Sequence, residues 1–101
     1  FNYVGDSILG YKSHMGAGSI TSNVKSDRSL VAVKLGEKKI QTDLKKFGAI
    51  LGDYVEIGCN AVLNPGTIIG RNSTVYPTSM VRGVIEESSI LKNNGKIIKK
   101  I

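Results

Sequence analysis

The sequence predicts an all-β fold, a single-stranded parallel β-helix built from short strands and tight corners. From Leu51 onward an aliphatic residue recurs at every sixth position, at Leu51, Ile57, Leu63, Ile69, Val75 and Val81. Four positions after each of them lies a smaller or β-branched residue, namely Val55, Ala61, Thr67, Ser73 and Ser79, with Ile85 closing the series. The same pattern occurs earlier, at Leu9 with Ser13 and at Met15 with Ser19.

The six-residue period excludes an α-helix. A helix turns about 100° per residue, so six steps rotate a side chain by about 240° and successive units leave the apolar face. In an extended chain the side chains alternate, so positions i, i+4 and i+6 point the same way. Three short strands therefore form a coil of about 18 residues with the aliphatic side chains inside. Gly52, Gly58 and Gly70 follow these aliphatic residues, and we expect them to permit corner conformations that a Cβ would penalise.

The repeat divides one domain into a first coil (1–22), an inserted loop (23–48), the hexad coils (49–88) and a capping tail (89–101). This amounts to about three coils, close to the minimum for stacked units that cannot bury their own core. The chain begins with Phe1 rather than Met and enters the pattern at once. We therefore expect a C-terminal fragment of a longer protein, stabilised by earlier coils, by oligomerisation, or by both.

Two hairpins are predicted outside the repeat. In the inserted loop, Leu30–Leu35 and Lys38–Thr42 flank the turn dipeptide Gly36-Glu37. An excursion of this length is typical of a functional loop, although a mobile surface loop is the alternative. In the tail, the turn tripeptide Asn93-Asn94-Gly95 predicts a hairpin that caps the open end of the solenoid.

The net charge is +6, and the positive charge is concentrated outside the repeat. Seven of the fourteen basic residues lie between Lys25 and Lys46, and four more lie between Lys92 and Lys100. The surplus either solvates exposed loops or binds an anionic ligand such as the phosphates of a nucleotide sugar or coenzyme A. We expect no nucleic-acid partner, because aromatic residues are not interleaved with the basic ones.

The sequence also bears on membrane spans, disulfide bonds and metal sites. No run of about 18 apolar residues is present, so we expect no membrane span. The single Cys59 excludes an internal disulfide and fits a reducing, cytoplasmic setting. One His and one Cys do not predict a metal site.

Two segments of the first coil resemble a known family. Phe1–Ser7 (FNYVGDS) and Gly16–Asn23 (GAGSITSN) are similar to the acetyltransferase domain of bifunctional sugar-1-phosphate nucleotidylyltransferases. These include the N-acetylglucosamine-1-phosphate uridyltransferase/glucosamine-1-phosphate acetyltransferases. The long basic insertion and the restart Lys46–Asp53 (KFGAILGD) resemble archaeal-type and clostridial relatives often labelled UDP-N-acetylglucosamine pyrophosphorylase.

The resemblance implies a left-handed β-helix that works as a homotrimer, with acetyl-CoA and the amino sugar bound between subunits. Tyr3 matches the sugar-contacting Tyr, and Asn23 matches an Asn beside the reacting amine and thioester. Tyr3 as a wall residue at a corner, and Asn23 as a turn residue that starts the insertion, are the alternatives. The family's general-base His belongs three positions before Tyr3, which lies outside this chain.

His14 departs from the family pattern, because relatives carry a substrate-lining Asn there. The six-residue phase predicts that His14 points outward. Its ordinary pKa lies near neutrality, so it is a candidate base in place of the missing His. A changed substrate and a plain surface histidine are the alternatives.

The resemblance also implies ligand-contacting positions on other coils. Ala17, Cys59 and Pro77 match residues that line the coenzyme A cleft, where Cys59 is a small residue and not a nucleophile. Arg28 and Lys34 are the candidates for an insertion residue that contacts substrate phosphate.

The expected function is transfer of an acetyl group from acetyl-CoA to a phosphorylated or nucleotide-linked amino sugar. The alternative is a non-catalytic trimerisation or ligand-binding module of a nucleotidylyltransferase-like protein, which the missing His favours.

Overall fold

The computed structural model describes all 101 residues as strands, turns and corners. None of the segments is a helix with the length and hydropathy needed to cross a membrane. The fifteen strands are β1 (Tyr3–Val4), β2 (Ile8–Leu9), β3 (His14–Met15), β4 (Ile20–Thr21), β5 (Val31–Leu35), β6 (Lys38–Leu44), β7 (Ala49–Leu51), β8 (Glu56–Ile57), β9 (Val62–Leu63), β10 (Thr67–Ile69), β11 (Thr74–Val75), β12 (Met80–Val81), β13 (Val84–Ile85), β14 (Ser89–Leu91) and β15 (Ile97–Lys99).

Three parallel sheets form the walls of the solenoid. Sheet A has the strand order β1-β4-β9-β12, sheet B has β13-β10-β7-β2, and sheet C has β15-β14-β11-β8-β3. Consecutive strands of the coils belong to different sheets, so the chain passes around the three walls in turn. All pairs in these sheets are parallel except β14 with β15. The predicted β-solenoid is confirmed.

The repeating aliphatic residues fill the interior as predicted. Leu51 pairs with Ile69 in register, one coil of 18 residues later. Burying a side chain of this size contributes roughly 1.5–3 kcal/mol relative to leaving it exposed. The core cluster consists of Ala49, Leu51, Val55, Ile57, Ala61, Leu63, Ile69, Val75, Val81, Ile85 and Leu91.

The prediction that Ile85 closes the series of small residues is wrong. Ile85 pairs in register with Ile69, only 16 positions earlier, and so occupies the large-aliphatic position of the last coil. The cause is a corner, Arg82-Gly83, that is two residues shorter than its counterparts, with Gly83 at a φ of 77°. Leu91 pairs in register with Val75, which is also 16 positions earlier. Its strand β14 is therefore the last parallel strand of sheet C, and it is also the first strand of the capping hairpin.

Gly52 and Gly58 serve a different purpose from the one predicted. Neither has a positive φ. A Cβ on Gly52 would lie 2.6 Å from the backbone N of Arg71, and a Cβ on Gly58 would collide with the backbone N of Pro77. These glycines therefore let successive coils approach each other. The positive-φ corner positions of the coils are held mostly by non-glycine residues, namely Asp6, Lys12, Tyr54, Asn60, Asn72, Thr78 and Ser88.

The hairpin predicted in the insertion is formed by β5 and β6, with Gly36 in its turn at a φ of 61°. Val31 is fully buried at its base, and Thr42 Oγ1 donates a 2.6 Å hydrogen bond to the carbonyl of Val31. The hairpin lies against the A–B corner, where a Cβ on Gly66 would lie 2.6 Å from the carbonyl O of Ala32. It is thus anchored to the solenoid.

Candidate functional site

Tyr3 and Asn23 meet above Gly5 at the corner between sheets A and B. A Cβ added to Gly5 would lie 2.8 Å from Asn23 Nδ2 and 2.8 Å from the ring of Tyr3. Asn23 Nδ2 donates a 2.7 Å hydrogen bond to Asp6 Oδ2. We call Tyr3, Gly5, Asp6 and Asn23 the Asn23 corner. The structure therefore brings two of the predicted site residues together and adds Asp6, a residue of the Phe1–Ser7 segment that the sequence pattern did not single out.

The Asn23 corner rests on a small polar cluster inside the solenoid. Thr21 faces inward where the next coil has Leu63, and its Oγ1 accepts a 3.1 Å hydrogen bond from the backbone N–H of Gly5. Ser7 Oγ lies 2.9 Å from Thr21 Oγ1 and accepts from the backbone N–H of Ala49 at 3.0 Å. These bonds fix the backbone beneath Tyr3 and Asn23.

The hydrogen bond to Asp6 determines which polar atoms of the Asn23 side chain remain unpaired. A side-chain amide has two N–H donors and one carbonyl acceptor. Asp6 takes one N–H, so the second N–H and Oδ1 remain available to a ligand. The backbone carbonyl of Asn23 accepts from the N–H of Phe47 at 2.9 Å, which closes the base of the insertion. Asn23 therefore has the structural role of a turn residue and is also free to bind.

Ala17, Cys59 and Pro77 stack along the corner between sheets C and A. The N–H of Asn60 donates to the carbonyl of Ala17 at 3.0 Å, and the N–H of Thr78 donates to that of Cys59 at 2.9 Å. All three residues are exposed. We call them the small-residue column. Neighbouring strands of a sheet lie about 4.8 Å apart, so these residues follow one another at about that spacing along the solenoid axis. Because their side chains are small, they leave an open track on the surface.

A shallow groove of about 260 Å³ runs beside this column and contains His14. Cys59 and Pro77 line it together with Glu56, which is the cross-strand partner of His14. His14 is exposed, so the predicted outward orientation is confirmed. His14 lies on sheet C, whereas Tyr3 and Asn23 belong to the A–B corner, so one chain does not unite all the predicted site residues.

Lys34 lines a second, larger cavity of about 320 Å³ between the hairpin and the A–B corner. Three further cations line the same cavity, at Lys25, Lys39 and Arg82, and no carboxylate does. We call this space the basic cavity. Arg28, the other predicted phosphate contact, does not line it.

Arg28 instead lies in a turn. Its N–H donates to the carbonyl of Lys25 at 2.9 Å, and its φ is 63°. The neighbouring Asp27 has a lowered pKa, first because the Ser29 hydroxyl and N–H hydrogen-bond its carboxylate and further because Lys25 is nearby. Asp27 is thus held ionised outside the cavity.

Comparison with known proteins finds similar sequences among transferases. Residues 48–83 match the family described as bacterial transferase hexapeptide (six repeats). The bifunctional protein GlmU of Methanococcus aeolicus is 36% identical over 98% of this chain and 24% of its own length. A bifunctional sugar-1-phosphate nucleotidylyltransferase/acetyltransferase of Sulfurisphaera tokodaii is 35% identical over 79% of this chain and 20% of its own length. The chain thus spans about a quarter of the length of the curated relatives it matches.

A solved structure resembles the whole chain. A variant of AntD, an N-acyltransferase from Bacillus cereus in complex with dTDP and coenzyme A, matches with a TM-score of 0.63 and 20% identity. The match covers 99% of this chain and 60% of the AntD chain. At this identity the likeness shows the fold, which is the left-handed parallel β-helix expected from the sequence.

Proposed function

We propose that this chain, which belongs to the hexapeptide-repeat transferases and is related to GlmU-type bifunctional proteins, is an acyl-CoA-dependent N-acetyltransferase domain. Its substrate would be a phosphorylated or nucleotide-linked amino sugar. The observation that carries this proposal is the small-residue column of Ala17, Cys59 and Pro77, which leaves an open track on the C–A corner. The AntD structure holds coenzyme A on the same fold, which supports this choice of donor.

The column suits the pantetheine arm of acetyl-CoA. The arm is a narrow, extended chain, and the small exposed side chains leave room for it to lie along successive coils. A larger side chain at any of the three positions would stand in its path. Because the groove beside Cys59 also contains His14, the thioester end of the arm would lie within reach of a titratable group.

The Asn23 corner suits the amino sugar. In the reaction, the amine nitrogen attacks the thioester carbonyl, the C–N bond forms, the C–S bond breaks, and the amine loses one proton while coenzyme A leaves as the thiol. Asn23 Oδ1 would accept a hydrogen bond from the amine and so orient it, with Tyr3 against the sugar. A base takes this proton and returns it to the leaving sulfur, so that coenzyme A departs as the thiol, and His14 is the candidate base within these residues.

The division of the site residues between two places supports an oligomer, which in the family that the sequence resembles is a homotrimer. One chain keeps the Asn23 corner apart from the His14 groove, so a neighbouring copy would have to complete the site. Two outer walls carry apolar ladders that a neighbour could cover. These are Tyr3, Ile20, Val62 and Met80 on sheet A, and Ile8, Ile50, Ile68 and Val84 on sheet B. On sheet C the corresponding row begins with His14, Glu56 and Thr74, so this face is the more polar one.

Calorimetric titration of the assembled protein with acetyl-CoA tests the proposal. Cys59→Phe should weaken binding at least tenfold because the ring blocks the column, whereas Cys59→Ala should bind as the unchanged protein does. Arg71→Phe, an exposed substitution at the B–C corner, is the size-matched control and should bind normally. No binding by the unchanged assembly, or equal binding by the Cys59→Phe protein, would contradict the proposed donor site.

The alternative is a non-catalytic trimerisation or ligand-binding module. The placement of His14, the one histidine of these residues, on sheet C and away from the Asn23 corner favours it. Turnover of glucosamine 1-phosphate with acetyl-CoA discriminates between the two, because a module binds without releasing free coenzyme A. If turnover is found, His14→Asn decides the base: an unchanged rate would reject His14 in that role.

A further inference from the structure

We propose that the basic cavity is a phosphate-binding site, formed within a single chain, that takes a diphosphate group. Phosphate binding by this cavity does not depend on acetyl transfer, and only the identity of the molecule carrying the phosphates rests on the proposed function. The inference goes beyond a contact by Lys34, because it assigns Lys25, Lys39 and Arg82 to one recognition site.

The hairpin places two of the cations directly opposite each other. Lys34 and Lys39 are directly opposed cross-strand partners on β5 and β6, and both line the cavity. Like charges in this position repel each other and destabilise a hairpin. The adjacent pair, Leu35 with Lys38, does not line the cavity. A phosphate between Lys34 and Lys39 would turn the repulsion into attraction.

Nothing in the chain neutralises these charges. The ion pairs of the structure are Arg71 with Glu87 and Lys99 with Glu86, so none of the four cations of the cavity takes part in one. Asp27, which lies close to Lys25, accepts hydrogen bonds from Ser29 and does not line the cavity. The charge is therefore available to a ligand.

The solenoid side of the cavity adds uncharged polar groups to the lining. The shortened corner Arg82-Gly83 forms part of the lining, and neither backbone N–H is donated to another atom of the chain. Ser22 and Ser26 add hydroxyl groups to the lining. Backbone N–H groups, hydroxyls and unpaired cations are the donors that phosphate oxygens accept from. A cavity of about 320 Å³ has room for a diphosphate and part of what it is attached to.

Titration with inorganic pyrophosphate at low salt tests the site without reference to catalysis. We expect binding that weakens at least tenfold in the double variant Lys34→Gln/Lys39→Gln and in Arg82→Gln. Lys38→Gln, on the same strand but outside the cavity, is the matched control and should bind normally, as should Lys96→Gln in the tail. Absence of pyrophosphate binding, or an equal loss in the Lys38→Gln protein, would overturn the proposal.

Competition then identifies the source of the phosphates. Displacement of pyrophosphate by UDP assigns the cavity to a nucleotide sugar, and displacement by coenzyme A assigns it to the donor. Displacement by neither would overturn a role in substrate binding. The two proposals can fail independently. If acetyl-CoA does not bind, or binds equally well to the Cys59→Phe protein, the proposed donor site is refuted, whereas the phosphate site still stands as long as pyrophosphate binds.

Discussion

The solenoid and its inserted hairpin are both built from short β-strands, yet different forces specify them. The solenoid buries a continuous row of eleven apolar residues, whereas in the hairpin only Val31 and Val33 are buried. Conversely, the segment from Lys25 to Lys46 holds seven of the fourteen basic residues of the chain. The comparison indicates that packing in the solenoid positions the basic cavity and that the inserted segment supplies three of its four cations, Lys25, Lys34 and Lys39.

The largest difference between the two regions should appear on truncating an apolar side chain. Leu63→Ala leaves a cavity in the middle of the core and should lower the free energy of unfolding by about 2–5 kcal/mol. Leu35→Ala removes the same atoms from an exposed position at the hairpin turn and should change it by less than about 0.5 kcal/mol. Urea unfolding of both variants measures this. Similar losses would show that the hairpin is as much a part of the core as the coils.

A smaller effect should distinguish two serines inside the solenoid. Ser73 Oγ donates to the carbonyl of Glu86 at 2.9 Å and accepts from the N–H of Ser89 at 3.1 Å, whereas Ser79 Oγ is buried without a partner. Ser73→Ala should therefore cost about 1–3 kcal/mol, because it leaves buried polar groups unpaired. Ser79→Ala should be neutral or stabilise by up to about 1 kcal/mol. Thermal unfolding of the pair tests this, and an equal loss in both would refute the assigned hydrogen bonding.

Most of the solenoid could be predicted from the sequence, since the six-residue period directly reports which side chains share the interior. The positions of Leu51 to Val81 follow from this rule alone. The rule failed at Ile85 because the corner before it is two residues shorter than the others, which shifts the later residues relative to the six-residue repeat. The repeat itself gives no sign of this shorter corner. It also missed Thr21, which faces inward as a polar residue because Ser7 and Gly5 provide hydrogen-bond partners.

The candidate site was predicted less completely. The resemblance to relatives assigned Tyr3 and Asn23 to one part of the site and Cys59 and Pro77 to another. A six-residue repeat pattern does not predict which residues of the inserted hairpin contact the A–B corner. Lys25, Lys39 and Arg82 converge only because the hairpin folds back onto the solenoid. The basic composition of the insertion was the available signal, and it indicates an anion without indicating where it binds.

Deletion of Val24–Phe47 tests most directly whether the solenoid folds without the inserted segment and whether that segment is needed to bind phosphate. Leu9 and Leu51 are cross-coil partners 42 positions apart, instead of the 18 that separate Leu51 from Ile69, so removal of these 24 residues restores a regular coil and keeps Asn23. We expect a shortened chain that retains its β circular dichroism and unfolds cooperatively but no longer binds pyrophosphate. A chain that fails to fold, or one that still binds pyrophosphate with unchanged affinity, would contradict it.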